Sequence, residues 1–312
     1  MSGAVQRLRI TQVTWEADAV LSPAPRRTVR RALAPWRPGA HIDLRLPSGQ
    51  LRQYSLCGDP DDRTSYRIAV LREDHGRGGS REIHETALAG RILEVLGPRN
   101  HFELAAAPRY LFLAGGIGIT PILTMARAAA AAGVPWTLWY GGRNRSAMAF
   151  TAELPTGAVH LRPQDTGGLL PLADIVAATA PDTVVYACGP APMLDAAAAV
   201  CAAAGRELHL ERFTGTAAPP PPGGEAFEVE LRQSGMVLVV PPQRSLLDVV
   251  LHAVPDAAYS CQEGYCGSCE TKVLAGVPDH RDTVLSDAER RRGEVMMICV
   301  GRARSPRLVL DL

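Results

Sequence analysis

Four cysteines near the end of the chain have the types and spacing that could bind a metal centre. They are Cys261, Cys266, Cys269 and Cys299. The first three form the pattern C-x4-C-x2-C, which with a remote fourth thiol is typical of a plant-type [2Fe–2S] cluster. Structural zinc sites more often combine two short C-x2-C pairs. Gly264, Gly267 and Ser268 are small enough for a loop to wrap the cluster and point its N–H groups at the sulfurs. The spacing therefore predicts a [2Fe–2S] cluster, with a four-thiolate zinc site as the alternative.

Composition narrows the class of protein. At 312 residues the chain is long enough for two or three domains, and its 46% hydrophobic and 21% charged residues are ordinary for a soluble globular protein. The balance of 33 basic against 32 acidic side chains argues against a nucleic-acid binder. The sequence has neither a secretory leader nor eighteen consecutive apolar residues, so we expect a cytoplasmic protein without a membrane segment.

A glycine-rich turn in the middle of the chain is typical of a phosphate-binding site. The buried strand YLFLA (110–114) is followed by GGIGITP and then by the helix ILTMARAAAAAG, for which Thr120 is the predicted N-cap and Pro121 the first helical residue. Free N–H groups at a helix start favour a pyrophosphate. TVVYACGPAPML repeats the arrangement of strand, turn and helix, and it places Cys188 at a strand end. Two such turns at one sheet edge predict a dinucleotide site.

The residues before position 105 have a different pattern. Short alternating segments such as RLRITQV and HIDLRL predict an antiparallel barrel. Within it, RQYSL supplies the guanidinium of Arg52, the ring of Tyr54 and the hydroxyl of Ser55, and GRGGS supplies a glycine nest that ends at Ser80. These groups suit a phosphate joined to a flat ring system.

Changes in composition and in hydrophobic pattern along the chain predict its domains. Four consecutive prolines and two glycines mark an extended linker at residues 214–225. We therefore expect a barrel domain at 1–104, an α/β domain at 105–213 and a C-terminal module at 226–312.

The order RQYSL, GRGGS, GGIGITP, YACGP, ERF and C-x4-C-x2-C…C covers nearly the whole chain and resembles the phthalate dioxygenase reductase family, which includes the reductase component of vanillate O-demethylase. The resemblance implies a multidomain α+β and α/β architecture. Its parts would be an antiparallel β-barrel flavin domain of the ferredoxin-reductase type, a parallel-sheet NAD domain and a β-grasp ferredoxin domain. The implied cofactors are FMN, NADH and a [2Fe–2S] cluster.

The resemblance also implies which residues contact each cofactor. FMN would be held by Arg52, Gln53, Tyr54, Ser55, Gly78, Gly79 and Ser80, with Arg52 and Ser80 on its phosphate. The NADH site would be lined by Gly115, Gly116, Gly118, Thr120 and Pro121. Cys188, Gly189 and Pro190 would shape the nicotinamide side of the flavin, and Phe213 would cover the isoalloxazine until nicotinamide displaces it. Ser55, Cys188 and Phe213 are accordingly the predicted catalytic residues.

The implied activity is conversion of electron number. Nicotinamide delivers two electrons as hydride, an iron–sulfur cluster accepts one at a time, and flavin can do both. The expected chain is a monomeric NADH-dependent reductase whose partner is a Rieske-type oxygenase. A cytochrome P450 partner, a flavin or ferric reductase with structural zinc and a redox-sensing binding protein remain alternatives. For the nucleotide, Asp165 favours NADH, whereas Arg143 and Arg162 could accept the 2′-phosphate of NADPH.

Overall fold

The computed structural model of the protein describes residues 5–27, 32–74, 78–213, 225–255, 257–259 and 261–312. The chain divides into two compact units, Met1–Arg212 and Phe213–Leu312. The first unit contains an antiparallel and a parallel sheet, and the second contains a mixed sheet. Residues 214–224 of the predicted linker lie outside the described residues. The predicted linker and the predicted boundary between residues 104 and 105 therefore stay predictions.

Six antiparallel strands of the first unit form a sheet that nearly closes into a barrel, in the order β4-β3-β6-β1-β2-β5. They are β1 (Gln6–Ala17), β2 (Val20–Arg27), β3 (His41–Arg45), β4 (Leu51–Ser55), β5 (Val70–Leu71) and β6 (Ile92–Arg99). A bridge between Leu56 and Ile68 brings the two outer strands together. On β1, Leu8 and Ile10 are fully buried while the residues between them are exposed, so the period-two alternation faces the barrel core as predicted.

Five parallel strands form the second sheet of this unit, in the order β11-β10-β7-β8-β9. They are β7 (Arg109–Gly115), β8 (Trp136–Gly142), β9 (Ala158–Pro163), β10 (Thr183–Cys188) and β11 (Leu208–Glu211). The helices of the unit are α1 (Gly79–Glu85) in the barrel segment and α2 (Ile119–Ala131), α3 (Gln164–Gly167), α4 (Leu172–Ala177) and α5 (Ala191–Ala203) around the parallel sheet. Because β7 and β10 are parallel neighbours, the turns that follow them lie side by side.

The start of α2 differs from the sequence-based expectation. Thr120 is not the N-cap, because α2 begins at Ile119 and its N-cap is Gly118, which has no side chain to accept a bond. Residues Gly116–Gly118 form a 3-10 turn ahead of the helix. The Thr120 hydroxyl donates instead to the Ile117 carbonyl at 2.9 Å. The glycine turn thus leads into the helix two residues earlier than predicted. The prediction for α5 is confirmed, since Pro192 lies in its first turn.

The second unit has a five-stranded sheet in the order β13-β12-β18-β14-β16 and a separate pair, β15 with β17. The strands are β12 (Phe227–Leu231), β13 (Met236–Val240), β14 (Glu270–Ala275), β15 (Pro278–Asp279), β16 (Val295–Met297), β17 (Arg302–Ala303) and β18 (Arg307–Leu310), and the helices are α6 (Leu246–Ala253) and α7 (Asp287–Arg292). The first strand, β12, pairs in parallel with the last, β18, and α6 buries Leu246, Leu247 and Val250 in the core. This arrangement is the predicted β-grasp fold. None of the helices in the described parts of the chain is long and apolar enough to cross a membrane.

Candidate functional site

The predicted phosphate-binding residues of the barrel meet where β4 lies beside the start of α1. A Cβ atom added to Gly79 would stand 2.6 Å from Arg52 Nε, so the glycine makes room for the arginine side chain. Gly78 precedes the helix with φ +86°, a conformation that glycine adopts without strain. The Arg52 guanidinium donates to Gln50 and to the Leu51 carbonyl. The structure therefore brings Arg52 and the GRGGS turn together, although Gly76 and Arg77 lie outside the described residues.

Ser80 and the middle of β4 complete this region. The Ser80 hydroxyl accepts from the Glu73 N–H at 3.0 Å, which ties the two ends of the intervening loop together. Gln53 and Tyr54 pair with Asp43 and Ile42 on β3. The phenol of Tyr54 lies inside the protein, and this burial raises its pKa far above the usual value despite the opposing charge of Arg52. Tyr54 consequently stays neutral, as a ring that stacks on a flat cofactor should.

The two glycine turns of the parallel sheet touch through their backbones. A Cβ atom on Gly118 would stand 2.2 Å from the Cys188 carbonyl oxygen, and one on Gly115 would stand 2.7 Å from Pro190 Cδ. Gly189 is equally confined, with Gly115 Cα 3.0 Å from its Cβ position. Only glycine permits this approach, so the sequence folds with GGIGITP directly against CGP.

The other residues that were predicted to bind the nucleotide differ in how much space surrounds them. Gly116 has φ +53° and no atom within 4 Å of its Cβ position, so its outer side is free for a ligand. Thr120 and Pro121 are buried at the start of α2, and the Thr120 hydroxyl is already bonded within the turn. Gly116 and the neighbouring N–H groups therefore fit a pyrophosphate better than the Thr120 side chain does.

Glu211 is a residue of the site that the sequence reasoning missed. It ends β11 directly opposite Cys188 on β10, and its carboxylate oxygen Oε2 accepts from the Ser55 hydroxyl at 3.3 Å. Removal from water raises the pKa of Glu211 to about 8, although the Ser55 bond acts in the opposite direction. Burial, and then the Glu211 charge, raise the pKa of the Cys188 thiol. The ERF motif that singled out Phe213 contains this glutamate, so its position at a strand end was the available signal.

Ser55, Cys188 and Glu211 thus form one set of three side chains that we name the hydroxyl–thiol–carboxyl set. The hydroxyl comes from the barrel, and the thiol and carboxyl come from the parallel sheet. Burial favours the uncharged form of both titratable members, since it raises the pKa of Glu211 to about 8 and that of Cys188 well above its ordinary value. Such a set can hold a proton on the Glu211 carboxyl group without presenting a fixed charge.

The residues considered for nucleotide choice follow β8 or lie on and after β9. Asp165 is exposed in α3, and its N–H donates to the Arg143 carbonyl at 3.2 Å. The Arg162 Nε donates to the Leu169 carbonyl at 2.8 Å. Arg143 is exposed. Phe213 is the first residue of the second unit and is half-buried, and its role over a flavin stays a prediction.

The four cysteines of the second unit lie together in its interior. All four are buried, with exposures of 6% or less. Cys261 lies within hydrogen-bonding reach of Cys266 and Cys299, and Cys299 lies within reach of Cys269 as well. These contacts bring the three close cysteines and the remote fourth into one site, as the spacing predicts. Gly264 and Gly267, both with φ +73°, allow the loop to turn around it.

Backbone N–H groups point at the sulfurs of this site. The N–H of Cys261 donates to Cys266 Sγ at 3.4 Å, that of Glu263 to Cys261 Sγ at 3.3 Å and that of Ser268 to Cys266 Sγ at 3.5 Å. Donation from neighbouring thiols and backbone groups lowers the pKa of Cys261, and donation towards Cys261 and Cys269 raises that of Cys299. Thiolate sulfurs that receive N–H bonds suit a [2Fe–2S] cluster, because such bonds stabilise its reduced charge.

Comparisons with known proteins agree with this construction. The model of the 2Fe-2S iron-sulfur cluster binding domain matches residues 229–304. The chain is 46% identical over 310 residues to "Phenoxybenzoate dioxygenase subunit beta" of Ectopseudomonas oleovorans, covering 98% of this chain and 97% of that one. It is similar to the structure of phthalate dioxygenase reductase, described as modular for electron transfer from pyridine nucleotides to [2Fe-2S], with a TM-score of 0.70, 36% identity and coverage of 99% and 98%. An intact type IV self-sufficient cytochrome P450 monooxygenase gives a TM-score of 0.90 at 40% identity, and the comparison covers 99% of this chain but 41% of that one.

The fold and the two sites define an electron-transfer oxidoreductase with a C-terminal [2Fe–2S] domain. The first two of these relatives match 98% and 99% of this chain. The chain belongs to the phthalate dioxygenase reductase family, and it is a reductase component of an oxygenase system.

Proposed function

We propose that this protein oxidises NADH at FMN and delivers electrons singly through its [2Fe–2S] cluster to a Rieske-type oxygenase. The observation that carries the proposal is the meeting of Ser55, Cys188 and Glu211 in a chain that also gathers four buried thiols. The first site can receive hydride at a flavin, and the second can carry electrons away. Neither alone requires a converter of electron number, but together they do.

FMN would bind where β4 meets the start of α1. The Arg52 guanidinium, for which Gly79 makes room, would bind the phosphate together with the Ser80 hydroxyl. The neutral Tyr54 ring would stack on the isoalloxazine. One phosphate matches one arginine and one glycine turn, which favours FMN over a dinucleotide at this position.

NADH would bind at the edge of the parallel sheet. Its pyrophosphate would lie against Gly116, whose outer side is open. Asp165 is exposed at the end of β9 and would repel a 2′-phosphate, whereas Arg162 is engaged by the Leu169 carbonyl. These observations support NADH over NADPH.

When bound, nicotinamide supplies hydride, flavin accepts two electrons and releases them one by one, and the cluster carries single electrons. The protein's own contribution is position and charge. The close approach of Gly118 to Cys188 would fix the nicotinamide side of the flavin site. The Ser55 hydroxyl donates its one proton to Glu211 in this structure and would turn that proton to the reacting edge of a bound ring, and Glu211 could take up or release a proton near pH 8. We assign Phe213 to the nicotinamide face of the ring, which it would cover until nicotinamide displaces it.

The relatives support an oxygenase component as the acceptor. A dioxygenase component and phthalate dioxygenase reductase both belong to oxygenase systems, which supports a Rieske-type partner for this chain. A cytochrome P450 is the second candidate, because the type IV self-sufficient cytochrome P450 monooxygenase contains a segment that matches 99% of this protein at 40% identity. Since NADH is an intracellular reductant, we place the reaction in the cytoplasm and propose that a single chain suffices for it.

Anaerobic stopped-flow mixing with NADH tests the proposal. We expect flavin absorbance to bleach first and an electron paramagnetic resonance signal from a reduced [2Fe–2S] cluster to follow within the same experiment. Reduction of the flavin without any cluster signal would refute the electron path. Parallel assays with a purified Rieske oxygenase and a purified P450 as acceptors separate the two partner classes.

Metal analysis separates the cluster from the zinc alternative. We expect about two iron atoms and two acid-labile sulfides per chain for a [2Fe–2S] centre. One zinc per chain without sulfide would overturn the cluster assignment.

A further inference from the structure

A buried histidine and a buried aspartate lie next to the cysteine loop and have no function in the electron path described above. His280 and Asp282 belong to a segment that we name the strap, residues 280–285, which runs from β15 towards α7. The side chains are 8% and 1% exposed. Charged and titratable groups are seldom buried so completely unless they are paired.

The strap binds the middle of the cysteine loop directly. The Thr283 N–H donates to the Gly264 carbonyl at 2.8 Å, and Gly264 lies between Cys261 and Cys266. A Cβ atom on Gly264 would stand 3.1 Å from Asp282 Cα and 2.6 Å from a methyl of Val300. The strap therefore packs directly against the loop at Gly264, where no side chain would fit.

Asp282 determines the shape of the strap. Its Oδ2 accepts from the N–H groups of Val284 and Leu285 at 3.1 and 2.9 Å, which forms a tight turn around Thr283. Arg290 on α7 donates to the Asp282 and Leu285 carbonyls and holds the turn from the other side. This turn orients the Thr283 N–H towards the cysteine loop.

The other carboxylate oxygen faces the histidine. His280 Nδ1 lies 3.9 Å from Asp282 Oδ1. Within the described residues, neither ring nitrogen of His280 nor Oδ1 of Asp282 has a hydrogen-bond partner. Two buried groups of complementary chemistry that face each other in this way are joined by a small rotation of the ring or by one bridging water. The pair would then fix the aspartate, and through it the strap.

A chain of contacts leads from this pair to a ligand sulfur. Asp282 orients Thr283, and Thr283 holds the carbonyl of Gly264. Two peptides before that carbonyl lies the Glu263 N–H, which donates to Cys261 Sγ at 3.3 Å. Hydrogen bonds to the sulfurs are one of the main determinants of the reduction potential of an iron–sulfur cluster. A displaced strap would therefore weaken a bond that stabilises the reduced cluster.

We propose that His280 and Asp282 are positioning residues that set the reduction potential of the cluster by holding the strap on the cysteine loop. The proposal rests on the [2Fe–2S] assignment made above. Asp282 could act on the cluster by orienting the strap or by its negative charge, and removal of the side chain changes the reduction potential in opposite directions in the two cases. Loss of orientation lowers the potential, whereas removal of a buried negative charge near the cluster raises it.

The experiment compares Asp282→Ala, Asp282→Asn and His280→Ala in the full chain, with Asp248→Asn as the control. Asp248 is a carboxylate that caps α6 through a backbone N–H, so the control makes the same chemical change in a turn outside the strap. Midpoint potentials are measured by titration followed by electron paramagnetic resonance. Thermal unfolding of each variant is recorded alongside.

We expect Asp282→Ala to lower the potential by about 59 mV, a tenfold change in the ratio of reduced to oxidised cluster, and to shift the resonance spectrum. Asp282→Asn keeps an oxygen for the two N–H groups and should have a higher potential than Asp282→Ala. His280→Ala should lower the potential by less, and Asp248→Asn should leave it unchanged. Potentials that rise equally in both Asp282 variants would show that charge alone acts and would overturn the proposal.

Two further outcomes are assigned in advance. If Asp282→Ala does not fold, Asp282→Asn and His280→Ala decide: a lowered potential in His280→Ala with an unaltered unfolding temperature supports the proposal, and unchanged potentials in both variants overturn it. Absence of iron, sulfide and resonance signal in the wild-type protein refutes the cluster assignment itself and is thereby distinct from failure of the positioning role.

Discussion

Gly118→Ala tests whether the contact between the two glycine turns controls hydride transfer. The added methyl carbon would stand 2.2 Å from the Cys188 carbonyl oxygen, 2.4 Å from its carbonyl carbon and 2.7 Å from the Gly189 nitrogen. All three are backbone atoms, so no side chain can rotate away. Ordinary contact begins at 3.4 Å, and the start of α2 must therefore move about 1.2 Å from the end of β10.

The magnitude of the effect follows from this displacement. Overpacking of a confined position costs about 1–3 kcal/mol of stability. A misplacement of about 1 Å at a reacting centre can cost about 100-fold in rate. We expect Gly118→Ala to lower the rate of flavin reduction by NADH about 100-fold in anaerobic stopped-flow measurements. FMN content should stay near the wild-type value, because the residues proposed to bind FMN belong to the barrel segment and not to the parallel sheet.

Gly133→Ala is the matched control for Gly118→Ala. Gly133 follows the other end of α2, has φ +67° and has no atom within 4 Å of its Cβ position. An alanine there has an unfavourable left-handed conformation that costs about 1–2 kcal/mol but displaces nothing. The two variants should thus lose comparable stability in thermal unfolding and differ in rate. Equal rates of flavin reduction in both variants would refute the reasoning.

Three more predictions follow from single positions. Glu211→Gln should flatten the pH dependence of stability: the raised pKa of about 8 means that the wild type loses stability as pH rises from 4.5 to about 8, by at most roughly 1.4 kcal/mol per unit. A wild-type-to-variant difference in urea midpoint that is the same at pH 5 and pH 8 contradicts this. Gly264→Ala should reduce iron per chain to below about half, whereas Gly235→Ala, at φ +68° with open space, should not. Gly79→Ala should displace the Arg52 side chain and weaken FMN binding about tenfold, or ~1.4 kcal/mol. Fluorescence titration measures this affinity, and an unaltered value would contradict the proposed role of Arg52 and Gly79 in FMN binding.

The sequence correctly predicted strands whose formation depends on the pattern of apolar residues within the segment itself. The alternation of RLRI predicted a strand with Leu8 and Ile10 inside, and both are fully buried in β1. YLFLA predicted the strand that the structure gives as Arg109–Gly115. The start of α2 could not be predicted, because two signals competed there. Threonine before proline is typical of an N-cap, yet Gly116–Gly118 already forms a 3-10 turn that feeds the helix.

The cysteine site and the hydroxyl–thiol–carboxyl set differ in how far the sequence could describe them. The sequence spacing of the cluster ligands already indicates that they lie close together, because three of the four thiols lie on one short loop. Ser55, Cys188 and Glu211 have no such spacing, since they come from one strand of the barrel and two of the parallel sheet, and they meet only when the two sheets pack. Glu211 in particular looks like an ordinary residue of LHLE apart from its place in ERF, and its removal from water, which raises its pKa, makes it a candidate functional residue. Long-range approach and desolvation are properties of the folded chain, so a functional residue that depends on both is found from the structure and not from its motif.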